Sequence, residues 1–265
     1  MLYELNHFGI VVRDLDASLA FYEGVLGART VFRRFSDSTH THVLYLQLGD
    51  SLIELLHPLK PTKAAETGIT HIAFMTDDLD GDHTALVHAG VESISEPKTA
   101  ATGVGRLSFV RDPNGIRVEL LQRDLVMRGE AVEHAIVKGF DHYSLTVADP
   151  ATSRAFYEGL LHMGSAPAGA GVPDAACLRL GGQVLELLPR TAGRAEDPTL
   201  SHFALRVDGI LSALDALASS GVDGDVVGGE GKERAGVIRD PDGVAIYLVE
   251  LPAALPPTNH EESRV

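Results

Sequence analysis

Histidines and glutamates recur at matched positions along this 265-residue sequence. His7 opens HFGIVVRDLDASLAFYEG and His142 opens HYSLTVADPATSRAFYEG, with the same interval to the FYEG tetrapeptide in both. GDSLIELLHP and GGQVLELLP then place Glu54 and Glu186 at equal distances after Gly49 and Gly181. THIAFMTDDLD and SHFALRVDGI bring His71 and His202 into line, and RDPNG and RDPDG close the two series. A lone histidine on an apolar strand is ordinarily a hydrogen-bonded core residue. A carboxylate among Ile53, Leu55 and Leu56 is harder to dismiss. If buried it must neutralise, find a partner or bind a cation, because leaving it unpaired costs several kcal/mol. Imidazole and carboxylate recurring together suit a divalent ion: zinc, nickel, cobalt, manganese or iron(II).

The repeats define four modules, starting at His7, His71, His142 and His202, and each reads as a strand, a helix and about three further strands. FGIVV has strand alternation, and Asp14 is placed to cap a helix bearing Leu15, Leu19, Phe21, Tyr22 and Leu26 that ends at Gly27. Asp149 with Pro150 repeats that start signal. Further helices are expected from Leu79 to Ala89 and from Ile210 to Ser219, closed by Gly90 and Gly221. THVLYLQL and RLSFV read as strands, and the DPNG and DPDG segments as turns. The expected class is α+β, with modules 1 and 2 in residues 1–122, a charged connector at 123–138, modules 3 and 4 in 139–251, and a proline-rich, polar tail at 252–265.

Composition narrows the partners. A formal net charge of −15 opposes binding to nucleic acid and to anionic membranes. No apolar run has the length of a membrane span, and MLYELNHFGI lacks a signal-peptide pattern, so a cytoplasmic protein acting on a small molecule is expected, as a monomer or homodimer. The single cysteine, Cys177, excludes an internal disulfide and reads as buried filler.

The segments HFGIVVRDLDASLAFYEGVLG, IELLHP, THIAF and FVRDPNGIRVEL resemble the vicinal oxygen chelate superfamily, which includes glyoxalase I, methylmalonyl-CoA epimerase, extradiol dioxygenases and bleomycin-binding proteins. The resemblance covers nearly all of residues 5–251 and implies two half-open mixed-sheet barrels, each made of two βαβββ modules around a metal. It implies the ligand set His7, Glu54, His71 and Glu119, with Glu119 as general base and Glu54 as a ligand and second proton carrier. The second half departs from this pattern: Glu119 lies four residues after Gly115, but Tyr247 stands four after Gly243, and Glu250 falls on the opposite strand face. A second site would therefore hold His142, Glu186 and His202, with Tyr247 in the fourth place. Modules could pair sequentially or by exchange, which would regroup His71, Glu119, His142 and Glu186.

The implied reaction is proton transfer on a substrate chelated through adjacent oxygens: isomerisation, epimerisation or a glyoxalase-type lyase step. One alternative is an extradiol-type iron(II) ring-cleaving dioxygenase, whose third ligand is missing at Tyr247. Another is a drug-sequestering protein without catalysis, which the complete quartet argues against. Weaker candidates are His40 and His42 on one strand face, Tyr45 and Gln47 on the other, and Arg106 and Arg111 for an anionic group; His83 and His88 are expected to be solvated on a helix.

Overall fold

The computed structural model describes residues 1–60, 67–125, 127–131, 134–167, 175–190, 200–228 and 234–250. Eight strands form the first sheet: β1 (Leu2–Val11), β2 (Arg29–Ser36), β3 (Thr41–Leu48), β4 (Ser51–Pro58), β5 (Gly68–Thr76), β6 (Glu92–Thr99), β7 (Arg106–Arg111) and β8 (Arg117–Gln122), in the order β2-β3-β4-β1-β5-β8-β7-β6. The second sheet repeats this with β9 (Gly139–Val147), β10 (Gly164–Ala166), β11 (Ala176–Leu180), β12 (Gln183–Pro189), β13 (Leu200–Val207), β14 (Gly224–Val227), β15 (Ala235–Arg239) and β16 (Ala245–Glu250), in the order β10-β11-β12-β9-β13-β16-β15-β14. Neither sheet closes. The two opening strands of each half pair antiparallel, β1 with β5 and β9 with β13, so the modules pair sequentially and the exchanged grouping is not formed.

The helices follow their capping residues. Helix α1 (Leu15–Leu19) starts at Asp14, whose side chain accepts from the Ala17 amide, and α3 (Pro150–Arg154) starts in the same way at Asp149. Both continue into one π-helical turn, Ala20–Val25 and Ala155–Leu160, a widening that the 3.6-residue pattern did not reveal. Helix α2 (Leu79–His88) is capped by Asp78. Helix α4 (Ile210–Ser219) has Gly209 at its cap position, and Glu250 accepts from the Ile210 amide at 2.9 Å instead. That contact confirms that Glu250 points away from the Tyr247 face.

The two FYEG turns link the halves. Tyr22 donates to Asp240 of the RDPDG turn at 2.9 Å, and Tyr157 donates to Asp112 of the RDPNG turn at 3.2 Å. All four groups are buried, and one apolar core runs continuously through both halves. Repeated motifs distant in sequence thus meet in pairs. Among the described residues no helix is long and apolar enough to cross a membrane. The expected tail at 252–265 lies outside the described residues.

Candidate metal centre

Strand alternation decides which side chains enter the concave face of the first sheet. On β1 and β5, His7 and His71 point inward while Phe8, Ile10, Ile72 and Phe74 enter the core. On β4 and β8, Glu54 and Glu119 do the same between core residues Ile53 and Leu55, and Val118 and Leu120. All four polar side chains are buried.

Their donor atoms converge. His71 Nε2 lies 3.2 Å from Glu119 Oε2 and 3.4 Å from Glu54 Oε2; His7 Nε2 lies 3.4 Å and 3.7 Å from the same two oxygens. The two Nε2 atoms are 3.4 Å apart. Ligands held about 2.0–2.2 Å from one ion sit roughly 3 Å from their neighbours, so the donors of His7, His71 and Glu119, all within 4.8 Å of one another, suit a shared cation, with Glu54 beside the two imidazoles. The chemistry of the donors agrees. Glu119 Oε2 is buried without a hydrogen-bond partner, an arrangement that is unfavourable unless a cation completes it.

Groups behind the imidazoles fix which nitrogen is free. Asn6 Oδ1 lies 2.9 Å from His7 Nδ1 and also accepts from Arg123 Nη2 at 3.0 Å. Arginine can only donate, so this oxygen is the acceptor and His7 must carry its proton on Nδ1. Thr70 donates to the Gly9 carbonyl at 3.2 Å and lies 3.3 Å from His71 Nδ1, which accordingly donates to it. With each Nδ1 committed to these partners, both Nε2 atoms face the centre, the usual orientation for ligation. Edge-on aromatic rings hold the imidazoles, Tyr45 against His7 at 5.0 Å and Phe109 against His71 at 5.6 Å.

The backbone makes room for this packing at one glycine. Gly9 faces His71 across the β1–β5 pair, and a Cβ added there would overlap the His71 ring. Electrostatics couple the group: burial resists charge on His71, yet Glu119 and Glu54 outweigh it and raise the imidazole to about 9. Burial likewise resists ionisation of both carboxyls, and His7 and His71 overcome it to hold them below the usual carboxylate range.

The second half gathers a smaller set. His142, Glu186 and His202 bring one donor atom each within 4.8 Å of one another, with His142 Nε2 and Glu186 Oε2 at 3.4 Å. Tyr247, where the first half has Glu119, stacks face to face on His202 with ring centroids 4.0 Å apart.

The remaining sequence candidates sort by face. Tyr45 pairs with Glu54 and borders the cavity, whereas His42 pairs with His57 and stacks on it at 6.1 Å, on the opposite side of the sheet. Gln47 binds the Gly129 and Glu130 carbonyls of the connector rather than standing free. His40 sits exposed at a turn with φ 52°. Arg106 pairs with Asp80 and Arg111 with Glu92 at the surface. His88 is exposed, but His83 corrects the expectation of solvation: it is buried on the sheet side of α2, between Ser108 Oγ at 3.0 Å and Ser93 Oγ at 3.1 Å.

Sequence reasoning missed the connector's part in the cavity. Arg123 lies over the Tyr45 ring at 4.7 Å with its Nε buried and unpartnered, and Met127 packs with Val43, Tyr45 and Leu52. Asn6 was also missed, although it directly precedes a repeated histidine and its counterpart before His142 is Asp141.

A family model described as the Glyoxalase/Bleomycin resistance protein/Dioxygenase superfamily matches residues 4–120 and 139–248. The chain belongs to this superfamily. Among its relatives is the ethylmalonyl-CoA/methylmalonyl-CoA epimerase of Cereibacter sphaeroides, 34% identical over 133 residues that cover 46% of this chain and 99% of the relative. A probable lactoylglutathione lyase of Synechocystis is 30% identical over 44% of this chain and 94% of the relative. Among solved structures, the Mn(II)-bound glyoxalase of Novosphingobium aromaticivorans superposes with a TM-score of 0.68 at 20% identity, covering 94% of this chain and 83% of that one. The fold is thus matched along nearly the whole chain.

Proposed function

We propose that the first half is a divalent-metal-dependent active site for proton transfer, of the isomerase, epimerase or glyoxalase-type lyase class, on a small substrate bound through two neighbouring oxygens. The observation that carries this reading is the gathering of His7, His71 and Glu119, each with one donor atom within 4.8 Å of the others, with Glu54 Oε2 3.4 and 3.7 Å from the two imidazoles and Glu119 Oε2 left without a hydrogen bond. The identities of the epimerase and lyase relatives support the reaction class.

His7, Glu54, His71 and Glu119 would hold the ion. A divalent ion bound there polarises a substrate carbonyl and acidifies the adjacent C–H. Glu119 would take that proton and give it back on the same face, whereas delivery to the opposite face would come from a second proton carried by Glu54, on the far side of the opening strands. Tyr45 stays protonated, because burial, reinforced by Glu54 and Glu119, pushes its phenol well above 10. Arg123, with an unused buried Nε beside Tyr45, binds an anionic group of the substrate.

The test is metal quantification on the wild type and Glu119→Gln, followed by exchange of the substrate α-proton in heavy water with 2-oxo and 2-hydroxy acids and their thioesters. Metal retained with exchange lost supports Glu119 as the base. Exchange retained by Glu119→Gln refutes that role, and a wild type that binds no transition metal refutes the reading as a whole.

A further inference from the structure

Two arginines flank the first centre in the same way. On β7, Phe109 packs edge-on against His71, and Arg117 of β8 lies over that ring at 4.5 Å. On β3, Tyr45 packs edge-on against His7, and Arg123 lies over its ring at 4.7 Å. Each imidazole thus has an aromatic ring beside it and a guanidinium beyond. Strand parity puts Arg117 on the inward face, because it stands two residues before Glu119 on β8. Arg123 directly follows β8, so the two arginines bracket Glu119 from opposite ends of that strand. The rings beneath them lie on opposite walls of the cavity, with β4, β1, β5 and β8 between β3 and β7.

No carboxylate neutralises either guanidinium. Arg106, Arg111 and Arg128 around the same sheet pair with Asp80, Glu92 and Glu4, but among the described residues Arg117 and Arg123 form no ion pair. Arg123 gives one bond to Asn6 and keeps a buried Nε without a partner. A guanidinium over a ring face is held there by the ring quadrupole, and its planar N–H edge stays free to fork a carboxylate or phosphate. A divalent ion balances Glu54 and Glu119, so the two arginines leave positive charge at the cavity of a chain whose net charge is −15. The second half lacks both rings and the Arg117 guanidinium. Cys177 faces Glu186 where Tyr45 faces Glu54, and Val237 faces Tyr247 where Phe109 faces Glu119. Ala245 faces Arg239 where Arg117 faces Arg111. The strand framework is the same in both halves, so these flanks serve what the first half binds and not the fold.

We propose that the first centre takes a substrate with two anionic groups, one held by Arg123 and the other by Arg117, on either side of the oxygens bound at the ion. This rests on the first half being the substrate site, and it names the class: 2-oxo or 2-hydroxy acids whose chain carries a second carboxylate or a phosphate. A carboxylate that gives one oxygen to the ion presents its other oxygen to a guanidinium. A substrate with one anionic group meets only one arginine, and a site built to pair with a group rejects the analogue that lacks it. Anchoring at both ends also fixes the carbon between them beside Glu119, which lies between the two arginines along β8.

The test is calorimetric titration of the full chain, saturated with Mn(II), with three 2-hydroxy acids that share one chelating head. These are lactate, with a single carboxylate, 2-hydroxyglutarate, with two, and 3-phosphoglycerate, with a carboxylate and a phosphate. At least one dianion should bind about 10–100-fold more tightly than lactate, the contribution of one charge-assisted pair. The tighter of the two identifies the second group as carboxylate or phosphate. Arg117→Ala and Arg123→Ala should each weaken that dianion by about 10–100-fold, whereas lactate loses affinity in at most one of them. Arg117→Lys should restore part of the loss, because it keeps the charge without the fork. Arg239→Ala, at the matching rim of the second half, should change nothing. Dianion binding that needs both arginines, without exchange of the α-proton, upholds this proposal and refutes proton transfer. Exchange with lactate bound as tightly as either dianion overturns the proposal and leaves proton transfer standing. A dianion affinity unchanged in Arg117→Ala would overturn it equally.

Discussion

Gly9→Ala separates metal binding from folding. Gly9 is not among the positive-φ glycines, so alanine fits its backbone, and the lost flexibility of the unfolded chain favours the variant by about 0.4–1 kcal/mol. The side-chain space is different: the added methyl would overlap Cε1, Nδ1 and Nε2 of His71. Non-bonded carbons rest about 3.5–4.0 Å apart, so the ring must move by well over ~1 Å. Metal–ligand distances tolerate shifts of only about 0.2 Å, so His71 leaves the donor set. His202, facing Ser144 where His71 faces Gly9, shows where such a ring goes, against the side chain of the closing strand. Affinity at the first site should fall by more than the roughly 10–100-fold that loss of an outer partner produces. The assay is isothermal titration with Mn(II) or Co(II), alongside thermal denaturation of the metal-free protein. Tight binding should be lost in a variant that still unfolds cooperatively, its metal-free stability at neutral pH lowered by the lost contacts of His71 with Glu119 and Glu54. Wild-type affinity in a folded variant would refute it.

Four further outcomes follow from the same geometry. In the metal-free chain the carboxylates outweigh burial and raise His71 to about 9, so an ion must displace a proton below that pH; apparent affinity should rise about tenfold per pH unit from about 6 to 9, measured by competition with a chelator. The same raised imidazole stabilises the metal-free fold fully below its ordinary 6.5 and loses that contribution as pH climbs through about 9, so melting temperatures of stripped protein should decline across that window while metal-loaded protein declines less. Arg123→Ala should raise KM for an anionic substrate by about 10–100-fold with little change in kcat, whereas an equal loss in kcat would place the residue in the chemical step. Tyr22→Phe, which removes the bond to buried Asp240, should cost about 1.5–3 kcal/mol in denaturant titration without changing metal stoichiometry.

The architecture was legible because its signals repeat. Four histidine-led segments, Asp caps before α1 and α3, and the two DP turns each mark an element, and all sit in register between the halves. The quartet His7, Glu54, His71 and Glu119 was legible for the same reason, since each stands inward among core residues of its strand. Other features depend on pairings that no local pattern encodes. The π turns at FYEG arise where Tyr22 and Tyr157 reach the opposite half. Burial of His83 follows from its place over β7, where Ser108 can meet it. Arg123 and Met127 enter the cavity because the connector folds back across the first sheet, anchored by Gln47 to Gly129, and a charged stretch between repeats carries no sign of that return. The contrast between Gly9 and Ser144 was visible in the aligned repeats, but its meaning required the position of the facing ring.

The most direct measurement is an anomalous-difference electron-density map of the full chain crystallised with Mn(II) or Co(II). An ion is expected among His7 Nε2, His71 Nε2, Glu54 and Glu119, at about 2.0–2.2 Å from each. An ion bound elsewhere in the first half, or none at saturating metal with the carboxylates hydrogen-bonded to the imidazoles, would contradict it.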